Sequence, residues 1–223
     1  VPSTRLVKFA GHKPTLAATT FVAPNASVIG EVSIGQGSSV WYGATVRGDV
    51  NTITIGDNTN IQDQAVVHAA KIANDFPTII GNNVTIGPNA IIHAAKISNQ
   101  CIIGTGAQVL DGAVVGENSI VTAGSIVTQG KNVPAGQLWS GIPARAVRDL
   151  TSEEIEFIKQ CSLDYVEVRT HHCLSEAHAV EAAKSFEEIE ADKEKRKILD
   201  TVGELGLEQK TEKRIDTGLF FKY

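Results

Sequence analysis

Aliphatic residues recur at every sixth position along most of this chain, and that period constrains the fold more than any other feature. The series runs Val22, Val28, Ile34, Val40 and Val46, then Ile55, Ile61 and Val67, then Ile80, Ile86 and Ile92. It ends with Ile97, Ile103, Val109, Val115, Val121, Val127 and Val133. Such a step matches neither the roughly 3.6-residue turn of a helix nor the alternation of about two along a strand. It is the step of a hexapeptide β-helix, in which each aliphatic side chain points into a triangular prism and three hexads close one coil. The residue four places after a corner is usually small, as at Ala26, Ser38, Ala44, Thr59, Ala65, Ala90 and Ala107, which suits a tight corner. Gly and Asn between them, as in Gly56-Asp57-Asn58 and Gly81-Asn82-Asn83, suit the turns.

Three steps break the period: nine residues from Val46 to Ile55, thirteen from Val67 to Ile80, and five from Ile92 to Ile97. With the extra residues removed as bulges, the second of them within KIANDFPT, the chain can be stacked coil on coil. His68 and His93 each follow an aliphatic corner, so they face outward and fall one coil apart in one column. Arg47 falls one coil below His68, and Asp63 one coil below Pro88. Stacked strands lie about 4.8 Å apart, so two imidazoles on adjacent coils can share one metal ion. A catalytic zinc takes three protein ligands and keeps a fourth position for water, so two histidines alone bind weakly. His171 and His178 lie about 10.5 Å apart along a helix, too far to share an ion, and read as solvent-exposed.

The chain has 223 residues and a net charge of −5, which favours no nucleic-acid partner. Cys101, Cys161 and Cys173 are odd in number and without metal-like spacing, so they read as reduced thiols, with Cys101 packed at a corner. No run reaches the ~18 apolar residues of a transmembrane helix. The chain contains no methionine, so Val1 is read as a processed or trimmed start. The first twenty residues carry Arg5, Lys8 and Lys13 and no acid, compatible with the region after an organelle transit peptide.

Residues 1–20 read as an N-terminal arm, 21–150 as the hexapeptide-repeat β-helix, and 151–223 as a C-terminal helical and charged extension. The last holds 11 Lys/Arg and 17 Asp/Glu, against 6 and 8 in the prism. Thr151 with Glu154 forms a capping box, and Ile155, Ile158, Ser162 and Tyr165 give the helix one side to lay on the prism. A second helix is expected from about Glu176 to Val202, and the closing LFFKY reads either as a disordered end or, with three aromatics in four positions, as an anchor into a partner.

RGDVNTITIGDNTNIQD, VVHAAK, IGPNAIIHAAK and WSGIPAR resemble the gamma-class carbonic anhydrases over roughly Phe21 to Tyr165. The resemblance implies an all-β fold, a left-handed parallel β-helix followed by C-terminal α-helices. It implies zinc or iron held by three histidines, the third from a neighbouring subunit of a trimer. His68 and His93 match two of them; Pro88 stands where the third is expected. Gln62 and Asp63 match residues that orient solvent and substrate, and Tyr165 a tyrosine near the metal; here they are ancestral catalytic positions. Arg47 and Asp49 match a pair that joins subunits. SEAHAVEAAK and the charged tail resemble the mitochondrial branch attached to respiratory complex I. That implies a heterotrimer of homologous gamma carbonic anhydrase subunits on the matrix side of the inner membrane, docked on membrane-arm subunits of complex I. Metal is then expected only at a shared interface and not in a homotrimer. Two alternatives stand beside this mainly structural role. One is an active anhydrase that borrows a histidine. The other is a hexapeptide acyltransferase, which uses the same prism but against which the RGD, NIQD and histidine motifs weigh.

Overall fold

The six-residue period closes the chain around a column of Val and Ile. A computed structural model describes residues 5–70 and 77–180, with side chains as far as Cys173. Short parallel strands coil there into a three-faced prism of about seven turns. On the first face Val28, Val46, Val67, Ile92, Val109 and Val127 stack in register. The second face stacks Ile34, Ile55, Ile80, Ile97, Val115 and Val133. The third stacks Val22, Val40, Ile61, Ile86, Ile103 and Val121. All eighteen expected corner residues are buried, none more than 7% exposed. Each contributes about 1.5–3 kcal/mol of hydrophobic burial. The small residues between corners are buried as well, from Ala26 to Ser125.

All three irregular steps fall on one vertical edge, between the first face and the second. At the first of them the strand Thr45–Ile55 runs on through the corner. Its pairing with Ser27–Ile34 jumps from Gly30↔Gly48 to Val32↔Ile53. The backbones meet so closely there that a Cβ on Gly30 would lie 2.2 Å from the Gly48 carbonyl oxygen. The second irregularity includes residues 71–76, which lie outside the described residues. Elsewhere the edges are held by side-chain ladders. The carboxylate of Asp57 accepts the N–H of Gln36, and the amide oxygen of Asn82 accepts the N–H of Asp57. Gly56 is required beside this ladder, since its Cβ would meet Asn82 Oδ1 at 2.3 Å.

The first residues differ from expectation. Leu6–Val7 and Thr15–Leu16 are strands that pair with Ser27–Ile34, so the described part of the arm extends the first and second faces. Two-residue strands are too short to show a period, which is why the sequence there reads as an arm without periodicity.

At the other end Gln137–Gly141 continues the third face, and Ala144–Asp149 folds back antiparallel on it. A helix, Ser152–Val180, follows. Its capping box is reciprocal: Thr151 N–H donates to Glu154 and Glu154 N–H donates to Thr151 Oγ1. Arg148 grips Glu154 through two bonds of 2.7 Å. Ile158 and Ser162 are fully buried, and Tyr165 packs edge-on to Trp41 with ring centres 5.5 Å apart. Two separate helices were expected, but one helix runs unbroken past Tyr165 to Val180, with no Gly or Pro to stop it. The remainder of the second expected helix and LFFKY lie outside the described residues. Contacts divide the chain into Val1–His171 and His172–Tyr223. Among the described residues no helix is long and apolar enough to cross a membrane.

Two outcomes follow for stability. Ile103→Ala, which opens a cavity in a fully buried column, should cost about 2–5 kcal/mol. Val147→Ala, at a residue 57% exposed, should stay within about 0.5 kcal/mol; paired thermal melts check both. The Arg148 guanidinium, with the Thr151 N–H, outweighs burial and holds the Glu154 carboxyl down at about 2, against an ordinary 4.5. Its contribution is therefore complete above about pH 4.5 and is lost as the pH falls through about 2. The melting temperatures of the parent and Glu154→Gln should thus converge as pH drops through that window. A gap that is constant from neutral to strongly acid pH would contradict this.

Candidate metal centre

The first face carries its chemistry on the residues that follow the corners. Register places Arg47 beside His68 and His68 beside His93, so the three side chains form one outward column. The two imidazole ring centres are 5.1 Å apart, with planes inclined at 53°. Two imidazoles bound to one tetrahedral zinc at about 2.0–2.1 Å have ring centres roughly 5.2 Å apart. The spacing of the pair therefore fits two ligands of one ion.

Carboxylates fix which nitrogen each ring offers. Asp49 lies in the bulge after Arg47. Its Oδ1 is 3.0 Å from His68 Nε2 and its Oδ2 is 3.0 Å from an Arg47 guanidinium nitrogen. Burial pushes the Asp49 carboxyl up, but the His68 bond and the Arg47 charge outweigh it and hold the carboxyl below its ordinary value. A carboxylate can only accept, so His68 donates from Nε2, and in the neutral ring the lone pair is then on Nδ1. His93 is held the other way: its Nδ1 meets Asp111 Oδ1 in a short contact, so in the neutral ring Nε2 is the nitrogen left to accept. The donor set thus fits a metal through His93 Nε2 as it stands. It fits through His68 Nε2 only when Asp49 turns to another cation. Among the described residues no cluster of three or more His, Cys, Asp or Glu could hold a metal ion.

Asp49 and Arg47, expected to join subunits, pair with each other within this chain. The sequence pattern leaves Asp111 out, because the coil above His93 is not a full three hexads. The five-residue step shortens that coil, so Ile92 pairs with Val109, and Asp111 sits over Ala94, whose carbonyl accepts the Gly112 N–H.

The other predicted residues lie around the corner between the third face and the first. Gln62 is 5% exposed. Its amide donates to Asn60 Oδ1 at 3.0 Å, and Asn60 donates to Thr85 Oγ1. It is thereby locked into a ladder along the third face. Asp63 is exposed and Pro88 half-buried. The Asn89 N–H donates to the Asp63 carbonyl, which confirms that Pro88 stands over Asp63. Tyr165 is half-buried; burial first, then the charges of Asp63 and Cys161, push its hydroxyl above the ordinary value. Asp63 and Tyr165 are thus neighbours, while the histidine pair stands on the next face. Cys101, as expected, is a packing residue: it is fully buried and its thiol donates to the Gly116 carbonyl, burial pushing it up to about 12.

The fold and the register define a hexapeptide-repeat left-handed β-helix protein with an outward histidine pair on its first face. The prism matches the crystal structure of a hexapeptide transferase family protein from Anaplasma phagocytophilum. The TM-score is 0.72 at 42% identity, over 75% of this chain and 98% of that one. No family model matches the chain. Gamma carbonic anhydrases 2 and 1, mitochondrial, of Arabidopsis thaliana are 46% and 48% identical, each over 82% of this chain. The chain spans 65% and 66% of those two proteins' lengths. Gamma carbonic anhydrase 3, mitochondrial, of the same plant is 42% identical over 81% of this chain and 69% of its own length. The chain belongs to the gamma carbonic anhydrase family.

Tyr165 separates packing from chemistry. Tyr165→Phe keeps the ring on Trp41 and should leave stability within about 0.5 kcal/mol. Tyr165→Ala, at a half-buried aromatic, should cost about 1–3 kcal/mol. Urea titrations check both, and equal losses from the two substitutions would contradict the edge-on packing.

Proposed function

We propose that this chain is a gamma-carbonic-anhydrase-like subunit of a heterotrimer on the matrix side of the membrane arm of mitochondrial complex I. Its role there is mainly structural or in assembly. The observation that carries the reading is Pro88. It occupies the position of the family's third histidine and has no side-chain ligand atom. The mitochondrial proteins among its relatives support the compartment. In such a trimer Asp49 and Arg47 stand at the subunit boundary, where a neighbour's charges compete for each.

A second reading is favoured by the spacing of the histidines. The pair would complete a zinc or iron site with a histidine from a neighbour that has one. A metal there would make hydroxide available from water near neutral pH, for the reversible hydration of carbon dioxide. His68 and His93 would then hold the ion, and Asp49 would release His68 Nε2. Gln62, Asp63 and Tyr165 would serve the opposite boundary, around Pro88. The acyltransferase reading is not favoured, since the relatives above are carbonic anhydrases by name and the likeness to a transferase is one of the shared prism.

Metal content decides between full and partial sites. A trimer of this chain alone should hold no stoichiometric zinc or iron, while one copy with two histidine-complete partners should lose only the site at Pro88. Elemental analysis with native mass spectrometry of trimers of known composition measures both. Stoichiometric metal in the unmodified homotrimer would refute the reading. Pro88→His should restore metal to it, because the register on both sides of Pro88 is intact.

A further inference from the structure

We infer that Asp111 is a positioning residue for His93: its carboxylate keeps the ring proton on Nδ1 and so makes Nε2 the donor to a metal. The inference rests on reading the pair as a metal half-site and names the residue that prepares it. The contact joins Asp111 Oδ1 to His93 Nδ1 across one coil, with side chains 17% and 33% exposed. Partial burial strengthens such a bond, and a carboxylate leaves the ring nitrogen no role but donor.

The corner does not need this carboxylate for its own turn. The Gly112 N–H goes to the Ala94 carbonyl, the Ala113 N–H to the Leu110 carbonyl, and the Asp111 carbonyl takes the Gly130 N–H. Those are backbone bonds that any residue at 111 could support. Ala94, directly beneath, presents only a methyl group and is 1% exposed. The Asp111 side chain is therefore free to lie against the neighbouring imidazole. His68 is held in the opposite sense by Asp49, so the two rings are not set alike. Of the two histidines, only His93 is poised before a partner or metal arrives. Outer carboxylates on metal-binding histidines typically change metal affinity by about 10–100-fold when removed.

The test has two readouts on the full chain. Nitrogen-15 NMR of the metal-free protein, at a pH above the imidazole range, should find His93 protonated on Nδ1. Asp111→Ala should move it toward the Nε2–H form, and Asp111→Asn, whose amide oxygen still accepts, should keep it. Cobalt(II) absorption titration of trimers mixed with a histidine-complete family member gives the second readout. Asp111→Ala should weaken binding by about 10–100-fold, and Asp111→Asn by less than about threefold. A parent His93 protonated on Nε2, or a tautomer unmoved by Asp111→Ala, overturns the inference. So does cobalt affinity unchanged in Asp111→Ala when the parent binds. A parent mixed trimer that binds no cobalt instead overturns the half-site reading itself. Should Asp111→Ala not fold, the parent tautomer decides.

Discussion

In-register stacking of one aliphatic residue per face is the constraint on which the rest of the molecule depends. Once Ile61, Ile86 and Ile103 must lie over one another, every residue between them has a fixed height and direction. Length can change only where the chain leaves the stack, at an edge. All three changes of length fall on the edge that follows Arg47, His68 and His93. The prism thus keeps its irregular backbone beside the residues with reactive side chains, and two edges regular for stability. Asp49, which is part of the first bulge, reaches both Arg47 and His68. A strict hexad would have had no residue to spare for that contact.

Electrostatics on the first face is local and asymmetric. Each histidine has its own carboxylate, reached from a different direction: Asp49 from the coil below, Asp111 from the coil above. Both are partly shielded from water, at 15% and 17% exposure, so neither bond is a freely screened surface pair. Asp49 is also shared with Arg47, whose side chain is 46% exposed and remains available to another chain. Among the described residues Asp111 has no comparable second cation in contact, whereas Asp49 is divided between two groups.

Much of this was legible in the sequence. The repeat placed every corner residue, and counting by coils placed Arg47, His68, His93, Asp63 and Pro88 in their columns. What was not legible had physical causes. Strands of two residues at Leu6–Val7 and Thr15–Leu16 are held by pairing to a neighbour, not by local pattern. From Val166 to Cys173 the helix has no buried residue, but no Gly or Pro interrupts it as far as Val180. The lock on Gln62 is a side-chain ladder through Asn60 to Thr85, which depends on which way amides turn. Asp111 lay within reach of the same counting, but the five-residue step offsets it by one place from His93.

The backbone explains why a proline can stand where the family's histidine is expected. The ladder through that corner uses the Gly87 N–H, donated to Ile103, and the Asn89 N–H, donated to Asp63. Residue 88 contributes its carbonyl, which accepts the Gly106 N–H. Proline lacks only the one group that these bonds do not use. The usual penalty for proline beside a sheet therefore does not arise here, and Ile86 stays in register above Ile61 and below Ile103. A change at this position therefore leaves the coil intact. Side-chain chemistry at residue 88 and retention of the fold are separable in this architecture, because residue 88 points outward and the inward residues carry the structure.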